Sequence, residues 1–197
     1  MTNQKYSAKI LLIVVLAIAL PSCWVKVYTL SNGMTRVPVN PKVYKNKSKF
    51  NTSILKMIDT TVIYEELNTE KNILERFNEC EYCPKRYVVL KFYSNGCYNI
   101  FAFWKNEPQL PVSELDPNYA GFRGIYYLEN NKIKYDEFGA IDEWRHIGRI
   151  KGTFTISGDT LYEKMDDRKG IDATKYTTHI YVKRRLPPEY FIYRVDW

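Results

Sequence analysis

The sequence is poor in the residues that build metal and redox sites, because its 197 residues contain two histidines and four cysteines. His146 and His179 are isolated and have no repeating spacing. They do not supply the two further ligands that a zinc site at Cys80 and Cys83 would need. A Gly-rich phosphate loop and a nucleophile-elbow motif are also missing. These absences predict a protein with no catalytic residues, no metal site and no cofactor.

Acidic residues are missing from the N-terminal region. Residues 1–53 contain eight of the 29 Lys and Arg residues and none of the 22 Asp and Glu residues. The other 21 basic residues therefore stand against all 22 acidic ones in residues 54–197. The formal net charge of +7 comes from the N-terminal region and is not spread over the fold, which argues against nucleic acid as a partner.

The apolar run at residues 10–20 is short, with 11 residues. As a helix it would span roughly 16 Å, against about 30 Å of membrane hydrocarbon. Lys5 and Lys9 precede it without any acid. This is the arrangement of an export signal. A transmembrane anchor or a core helix is the alternative.

The motif Leu20-Pro21-Ser22-Cys23 follows the apolar run directly. It resembles the lipobox of bacterial lipoproteins, which has a Leu three residues before the cysteine and a small residue directly before it, although Pro21 departs from that pattern. The resemblance implies that residues 1–22 are a signal peptide and that the acylated Cys23 holds the protein in membrane lipid. The family's sorting rule, applied to Trp24 after the cysteine, implies the outer membrane of the cell envelope rather than the inner one.

Residues 23–53 are expected to be the lipid anchor and a basic flexible tether. The stretch contains Pro38, Pro41 and many Ser, Asn and Thr residues, and it shows no helical or strand period. Its six basic residues predict either contact with anionic head groups or a solvated linker.

Residues 54–197 have the pattern of a single all-β domain. Ile150, Gly152, Phe154 and Ile156 alternate with polar residues, as in a half-buried antiparallel strand. The predicted strands are residues 61–66, 86–94, 97–104, 122–128, 132–138, 149–157, 160–164, 176–184 and 190–195. One short helix is expected at residues 70–77.

Two asparagine-containing turns predict hairpins. Asn95-Gly96 is a strong signal for a two-residue turn, which would place Ser94 opposite Cys97. Asn130-Asn131 tolerates the same geometry.

The hairpin register restricts the cysteine pairing. Cys97 at the turn lies too far along the chain for Cys80 or Cys83 to reach it. An exported protein lies in an oxidising compartment, so a Cys80–Cys83 disulfide is predicted, with Cys97 as a thiol. The spacing of Cys80 and Cys83 also fits a redox or zinc motif, but the predicted strand that follows is not the helix that a thioredoxin-like motif opens.

The order of the strands predicts an antiparallel up-and-down meander, because no βαβ alternation occurs. Eight or nine strands would close into a barrel that removes exposed edges. By architecture this resembles a lipocalin-like, or calycin, barrel. The Gly-x-Trp signature of lipocalins and a C-terminal helix are missing. A two-sheet sandwich is the alternative.

The inward-facing side chains of such a barrel either pack solid or line a cavity for one small ligand. The candidate pocket residues are Val88, Leu90, Phe92, Phe122, Tyr126, Leu128, Gly152, Phe154 and Ile156. Gly124 and Gly152 leave inward positions without a side chain, which favours space inside. The resemblance implies a non-catalytic binding module for a small apolar or amphipathic ligand.

Two other functions stay open. One is a structural or interaction protein of the envelope with a filled barrel, for which the sequence identifies no protein partner. The other is an enzyme on the same scaffold. The residues that could serve an enzyme are in the cluster at residues 142–146. If this cluster is helical, Glu143 and His146 share a face and could form an acid–base pair. A solvated connection between strands fits the cluster as well.

Overall fold

The computed structural model describes residues 25–67, 86–104, 110–141, 147–166 and 178–197. The predicted helix at residues 70–77 lies outside these ranges. The strands in the described ranges are β1 Val27–Thr29, β2 Arg36–Pro38, β3 Ile63–Glu66, β4 Arg86–Phe92, β5 Cys97–Trp104, β6 Phe122–Glu129, β7 Lys132–Ala140, β8 Ile147–Ser157, β9 Thr160–Met165 and β10 Thr178–Arg184. Short 3₁₀ helices lie at Pro41–Val43, Lys45–Lys49, Thr52–Lys56, Val112–Leu115 and Pro188–Phe191.

Strands β3 to β10 form a closed antiparallel barrel of eight strands. Each strand pairs with the next one along the chain, and β10 closes the barrel by pairing with β3, where Tyr181 lies opposite Glu66. The predicted meander barrel is therefore confirmed, and the two-sheet sandwich is excluded. Closure gives every barrel strand two hydrogen-bonded neighbours and leaves no open edge.

Strand β8 shows why the alternating pattern was informative. Ile150 and Phe154 are buried in the barrel, whereas Lys151 and Thr155 point outward and are exposed. The side chains of a strand point to opposite faces in turn, so burial of one face alone produces this pattern.

The β6–β7 hairpin has the predicted two-residue turn. Asn130 and Asn131 have φ angles of 52° and 58°, and Glu129 lies opposite Lys132. Positive φ at both central residues is the geometry that matches the twist of the two strands.

The β4–β5 hairpin has a three-residue loop, so the predicted two-residue turn is wrong. Tyr93 lies opposite Cys97, with the Tyr93 N–H donating to the Cys97 carbonyl at 2.9 Å. The predicted pairing of Ser94 with Cys97 is off by one residue. Gly96 closes the loop with a φ of +83°, as is common for loops of this length, and Asn95 Oδ1 accepts from the Cys97 N–H at 3.2 Å.

Residues 25–53 are ordered on the barrel, so the predicted flexible tether is wrong for this part of the chain. β1 and β2 form a separate antiparallel pair. Val37 and Tyr44 are 1% and 4% exposed, and Asn46 Nδ2 donates to Asp136 Oδ2 on β7 at 2.8 Å. Scattered side chains anchor the segment through contacts distant in sequence, which leave no local period to detect.

Two of the basic residues in this segment form ion pairs with acidic residues of the domain that follows. Lys47 Nζ lies 2.6 Å from Asp196, and Lys49 Nζ lies 2.6 Å from Glu129. These two lysines are therefore engaged by the protein itself, which weakens the predicted role of the segment at anionic head groups.

The C-terminal segment is not the ninth strand that was predicted at residues 190–195. A 3₁₀ helix at Pro188–Phe191 is followed by irregular chain to Trp197. Because β10 already pairs with β3, the barrel offers no free edge for another strand. The segment crosses the outside of the barrel instead, and the buried Trp197 donates from Nε1 to the Gly124 carbonyl at 3.0 Å.

Candidate functional site

The two ends of the barrel differ. At the turn end, short loops join β4 to β5, β6 to β7 and β8 to β9. At the other end, which we call the loop end, longer connections follow β3, β5, β7 and β9. Binding residues tend to lie where a rigid scaffold carries its longer loops.

The turn end is closed from inside by residues 50–58. Ile54 and Ile58 are almost completely buried within the cluster that fills the barrel. The Phe50 ring packs edge-on against Tyr126, with 5.6 Å between the centroids. Residues 50–58 thus occupy this mouth of the barrel.

Aromatic rings fill the middle of the barrel. The Phe92 centroid lies 5.6 Å from Tyr98, 5.2 Å from Tyr126 and 5.4 Å from Phe154. Tyr135 stacks on Phe154 at 4.5 Å. Such ring pairs add about 0.5–1.5 kcal/mol each beyond the burial of their area, so this layer is a packed core.

The structure brings most of the predicted pocket residues together in this interior. Those that belong to the interior cluster are Val88, Leu90, Phe92, Tyr126, Leu128, Phe154 and Ile156. Phe122 is half-buried and is not part of the cluster.

The space predicted at Gly124 and Gly152 is occupied, so this part of the pocket prediction is wrong. A Cβ atom at Gly124 would collide with the Tyr98 ring. A Cβ at Gly152 would collide with the Lys164 carbonyl oxygen and with the Tyr135 ring. Each glycine lets a tyrosine ring from a neighbouring strand lie across the backbone, which is the close approach that glycine in a strand commonly marks.

A polar cluster lies inside the barrel toward the loop end. In the register of the strands, Glu163 on β9 lies opposite His179 on β10, and Tyr181 on β10 lies opposite Glu66 on β3. The hydrogen bonds run diagonally between these pairs. His179 Nδ1 lies 2.9 Å from Glu66 Oε1, and the Tyr181 hydroxyl donates to Glu163 Oε2 at 2.7 Å.

The members of this polar cluster are shielded from solvent. Glu163 is 1% exposed, and Tyr181 and His179 are nearly as buried. Glu137 on β7 is also buried, and it acts electrostatically on the phenol of Tyr98, as Glu163 does. Glu66, Glu137, Glu163, His179, Tyr98 and Tyr181 are the candidate site.

Burial and the neighbouring carboxylates keep the site's phenols protonated. Burial raises the pKa of Tyr98 well above its usual value, and Glu137 raises it further. Burial and then Glu163 do the same to the pKa of Tyr181. Both hydroxyls are therefore hydrogen-bond donors at any physiological pH.

The Tyr98 hydroxyl and Glu163 Oε1 are buried and have no hydrogen-bond partner within the described residues. Burying a polar group without a partner costs about 1–3 kcal/mol, so each such atom calls for an explanation. The site offers an acceptor at Glu163 and a donor or acceptor at Tyr98 to a further polar molecule.

Strand alternation could have revealed the acidic residues of the site. In the predicted strand at residues 132–138, Ile133 and Tyr135 face inward and Glu137 continues their phase. In the strand at residues 160–164, Glu163 follows Leu161 in the same way. The grouping of these residues with His179 depends on barrel closure, which no single strand encodes.

The remaining sequence predictions about sites fall mostly outside the described residues. This applies to the signal peptide and Cys23, to Cys80 and Cys83, and to the cluster at residues 142–146. Cys97 is a buried free thiol whose Sγ donates to the Trp197 carbonyl at 3.7 Å. Burial raises the pKa of this thiol, so it is a packing group.

Within the described ranges, no three or more His, Cys, Asp and Glu residues are grouped so that they could hold a metal ion. Nor does any helix in those ranges have the length and apolarity to cross a membrane. No protein family, curated protein or solved structure matches the chain significantly.

Proposed function

We propose that this protein is a lipid-anchored binding module of the cell envelope, without catalytic activity, whose barrel takes one small amphipathic ligand at the loop end. The apolar part of the ligand would meet the aromatic interior. Its polar part would meet Glu163, His179 and Tyr98.

The observation that carries this proposal is the burial of carboxyl groups in a barrel that could have been filled with apolar side chains. Burying charged or polar groups costs free energy, and apolar replacements of similar volume are often neutral or stabilising. Stability alone therefore does not account for Glu137 and Glu163 inside the barrel. A few polar groups converging in an apolar interior are typical of a ligand site.

The chemistry of the cluster defines the polar part of the ligand. Three carboxyl groups, Glu66, Glu137 and Glu163, lie in the site together with one imidazole, that of His179. Carboxylate oxygens accept hydrogen bonds, and Glu163 Oε1 has none within the described residues. We therefore infer a ligand that donates hydrogen bonds through an amino or hydroxyl group on an apolar body.

The test is native mass spectrometry of the full chain purified in mild detergent from its own cells. Wild-type protein should retain an adduct of small mass that Glu163→Gln loses. Glu65→Gln is the matched control, since Glu65 lies on β3 and pairs with Arg184 on the outside of the barrel, and this variant should keep the adduct. The proposal would be contradicted if wild-type protein carries no adduct, or if Glu163→Gln retains the adduct as wild type does.

A filled barrel that serves as a structural or interaction protein is the second candidate. It is favoured by the rings of Tyr98 and Tyr135, which occupy the positions over Gly124 and Gly152. This candidate predicts wild-type protein without any adduct, and Glu163→Gln that is at least as stable as wild type.

An enzyme is a third candidate, favoured by the contact between His179 and Glu66. A carboxylate that orients an imidazole is a common part of general acid–base sites. This candidate predicts that the retained molecule is chemically converted on incubation, and that His179→Gln stops the conversion.

The membrane anchor is proposed from Leu20, Ser22 and Cys23. Cys23→Ala should abolish acylation and release the protein from membranes, because more than one acyl chain is needed for stable attachment. Fractionation and mass spectrometry of the N-terminal peptide measure this. If Cys23→Ala still fractionates as an integral membrane protein, residues 10–20 form an uncleaved anchor instead.

A further inference from the structure

A cleft lies on the outside of the barrel, between the β4–β5 hairpin and the C-terminal segment. Its volume is about 470 Å³, which is within the range of small-molecule sites. The residues that line it are Thr60, Lys91, Phe92, Tyr93, Ser94, Asn95, Phe191, Tyr193, Arg194 and Val195. It is separate from the polar cluster inside the barrel.

Lys91 is the unusual residue of this cleft. It is 2% exposed, and its Nζ donates to the Tyr190 carbonyl at 2.6 Å. Around Nζ stand the rings of Tyr93 and Phe191, with centroids at 5.4 and 5.0 Å, and that of Tyr193 at 6.0 Å. The ring faces attract the ammonium, but they do not neutralise its charge.

No carboxylate among the described residues lies within ion-pair distance of Lys91 Nζ. An ammonium has three donors, and one of them is used by the Tyr190 carbonyl. A buried charge without a counterion is costly and is normally paired. The other charged residue in the cleft lining is Arg194, which adds a second positive charge rather than a balancing one.

The lowered pKa of Lys91 is consistent with an ammonium that has no counterion among the described residues. Burial lowers the pKa of Lys91 to about 8, so the ammonium still predominates at neutral pH. An anion beside it would offset the lost hydration and raise this pKa toward its ordinary value.

We propose that this cleft binds a small organic carboxylate, with its negative group at Lys91 and Arg194 and its apolar body against the rings of Tyr93, Phe191 and Tyr193. One buried cation is balanced by one negative charge. The three rings provide the apolar contact that a hydrated inorganic anion would not use. Both features favour a carboxylate on a ring or short chain.

The test uses the full chain in detergent micelles, with benzoate and cyclohexanecarboxylate as probes, and isothermal titration calorimetry as the readout. At least one probe should bind wild type with a Kd on the order of 1 mM or tighter. Benzylamine, which has the same ring and the opposite charge, should not bind. Lys91→Met should weaken binding of the carboxylate about tenfold or more, whereas Lys151→Met, at an exposed position on the outer face of β8, should leave it unchanged.

A second variant covers the case in which Lys91→Met does not fold. Arg194 is exposed, so Arg194→Gln should fold normally and weaken the carboxylate several-fold. In addition, NMR of the lysine Cε resonances should show the Lys91 titration midpoint moving upward when the carboxylate is added. The proposal would be overturned if neither carboxylate binds wild type or if benzylamine binds equally well. It would also be overturned if Arg194→Gln binds the carboxylate as tightly as wild type does.

Discussion

Replacing Gly152 with alanine tests whether the barrel interior is packed or open. The sequence suggested that this inward glycine borders open space, in which case a larger side chain would be tolerated. In the structure, a Cβ at this position would lie 2.5 Å from two carbons of the Tyr135 ring and would also collide with the Lys164 carbonyl oxygen. The second obstacle is backbone of the paired strand β9, which cannot turn aside as a side-chain end can.

The expected loss of stability follows from these contacts. Overpacking a core costs about 1–3 kcal/mol, and an obstacle that is partly backbone places the cost near the upper limit. Alanine also restricts the unfolded chain, which offsets about 0.4–1 kcal/mol. The net destabilisation is about 2 kcal/mol, which for a chain of this length lowers the melting temperature by about 4–8 °C.

The assay is thermal unfolding followed by circular dichroism, on wild type, Gly152→Ala and the control Lys151→Ala. Lys151 is exposed on the outer face of the same strand, and its replacement should change stability by less than about 0.5 kcal/mol. Gly152→Leu should unfold the protein outright. If Gly152→Ala is as stable as wild type, then Tyr135 does not lie across Gly152 and the interior has room.

Two further predictions concern buried polar groups. Tyr181→Phe removes the hydroxyl that donates to the buried Glu163 and should lower the free energy of unfolding, measured in urea, by about 1–3 kcal/mol. The control Tyr162→Phe, on the exposed side of β9, should change it by almost nothing. Equal stabilities of the two variants would mean that Glu163 is satisfied without Tyr181. The pKa of Lys91 is about 8 in the folded protein, against its ordinary value of 10.5. Between these pH values the unfolded chain therefore binds a proton that the folded chain lacks. Folding stability rises with pH in this range. From pH 8 to 10.5 the free energy of unfolding of wild type should therefore increase by about 3 kcal/mol relative to that of Lys91→Met. Urea unfolding at each pH measures this difference. If the free energies of unfolding of the two proteins change in parallel with pH, the amine is not buried.

The strands were predictable because each carries its own signal. The alternation of β8 reflects one buried face and one exposed face within a single stretch of chain. The pair Asn130 and Asn131 marks a turn because both residues accept positive φ. Both signals are local, so they survive without knowledge of the rest of the fold.

The β4–β5 loop shows where local turn signals become ambiguous. Asn95-Gly96 fits a two-residue turn, and it fits equally the end of a three-residue loop in which Gly96 alone has positive φ. The observed register lets Phe50 pack over Gly96 and lets the Tyr126 hydroxyl donate to the Tyr93 carbonyl at 2.6 Å. Contacts from distant parts of the chain thus select between two turns that the local sequence permits.

The segment at residues 25–58 could not be predicted for the same reason. Its composition is that of a linker, yet Tyr44 and Ile54 are buried against parts of the barrel that follow much later in the chain. Few apolar residues suffice, because each one enters a site that the finished barrel provides. Polarity and missing periodicity indicate only that such a segment would not fold alone.

The candidate site combines both situations. The inward phase of Glu137 and Glu163 is local and could have been derived from their strands, and it places each carboxyl group in the interior. Their proximity to Glu66 and His179 is not local, because β3 and β10 lie at opposite ends of the meander and meet only when the barrel closes. Closure thus creates both the burial that makes these carboxyl groups costly and the neighbours that they contact. A variant that prevents β10 from pairing with β3 should therefore lose the proposed ligand together with the fold. Glu163→Gln separates these two effects, since it removes the carboxyl group and leaves the strand pairing intact.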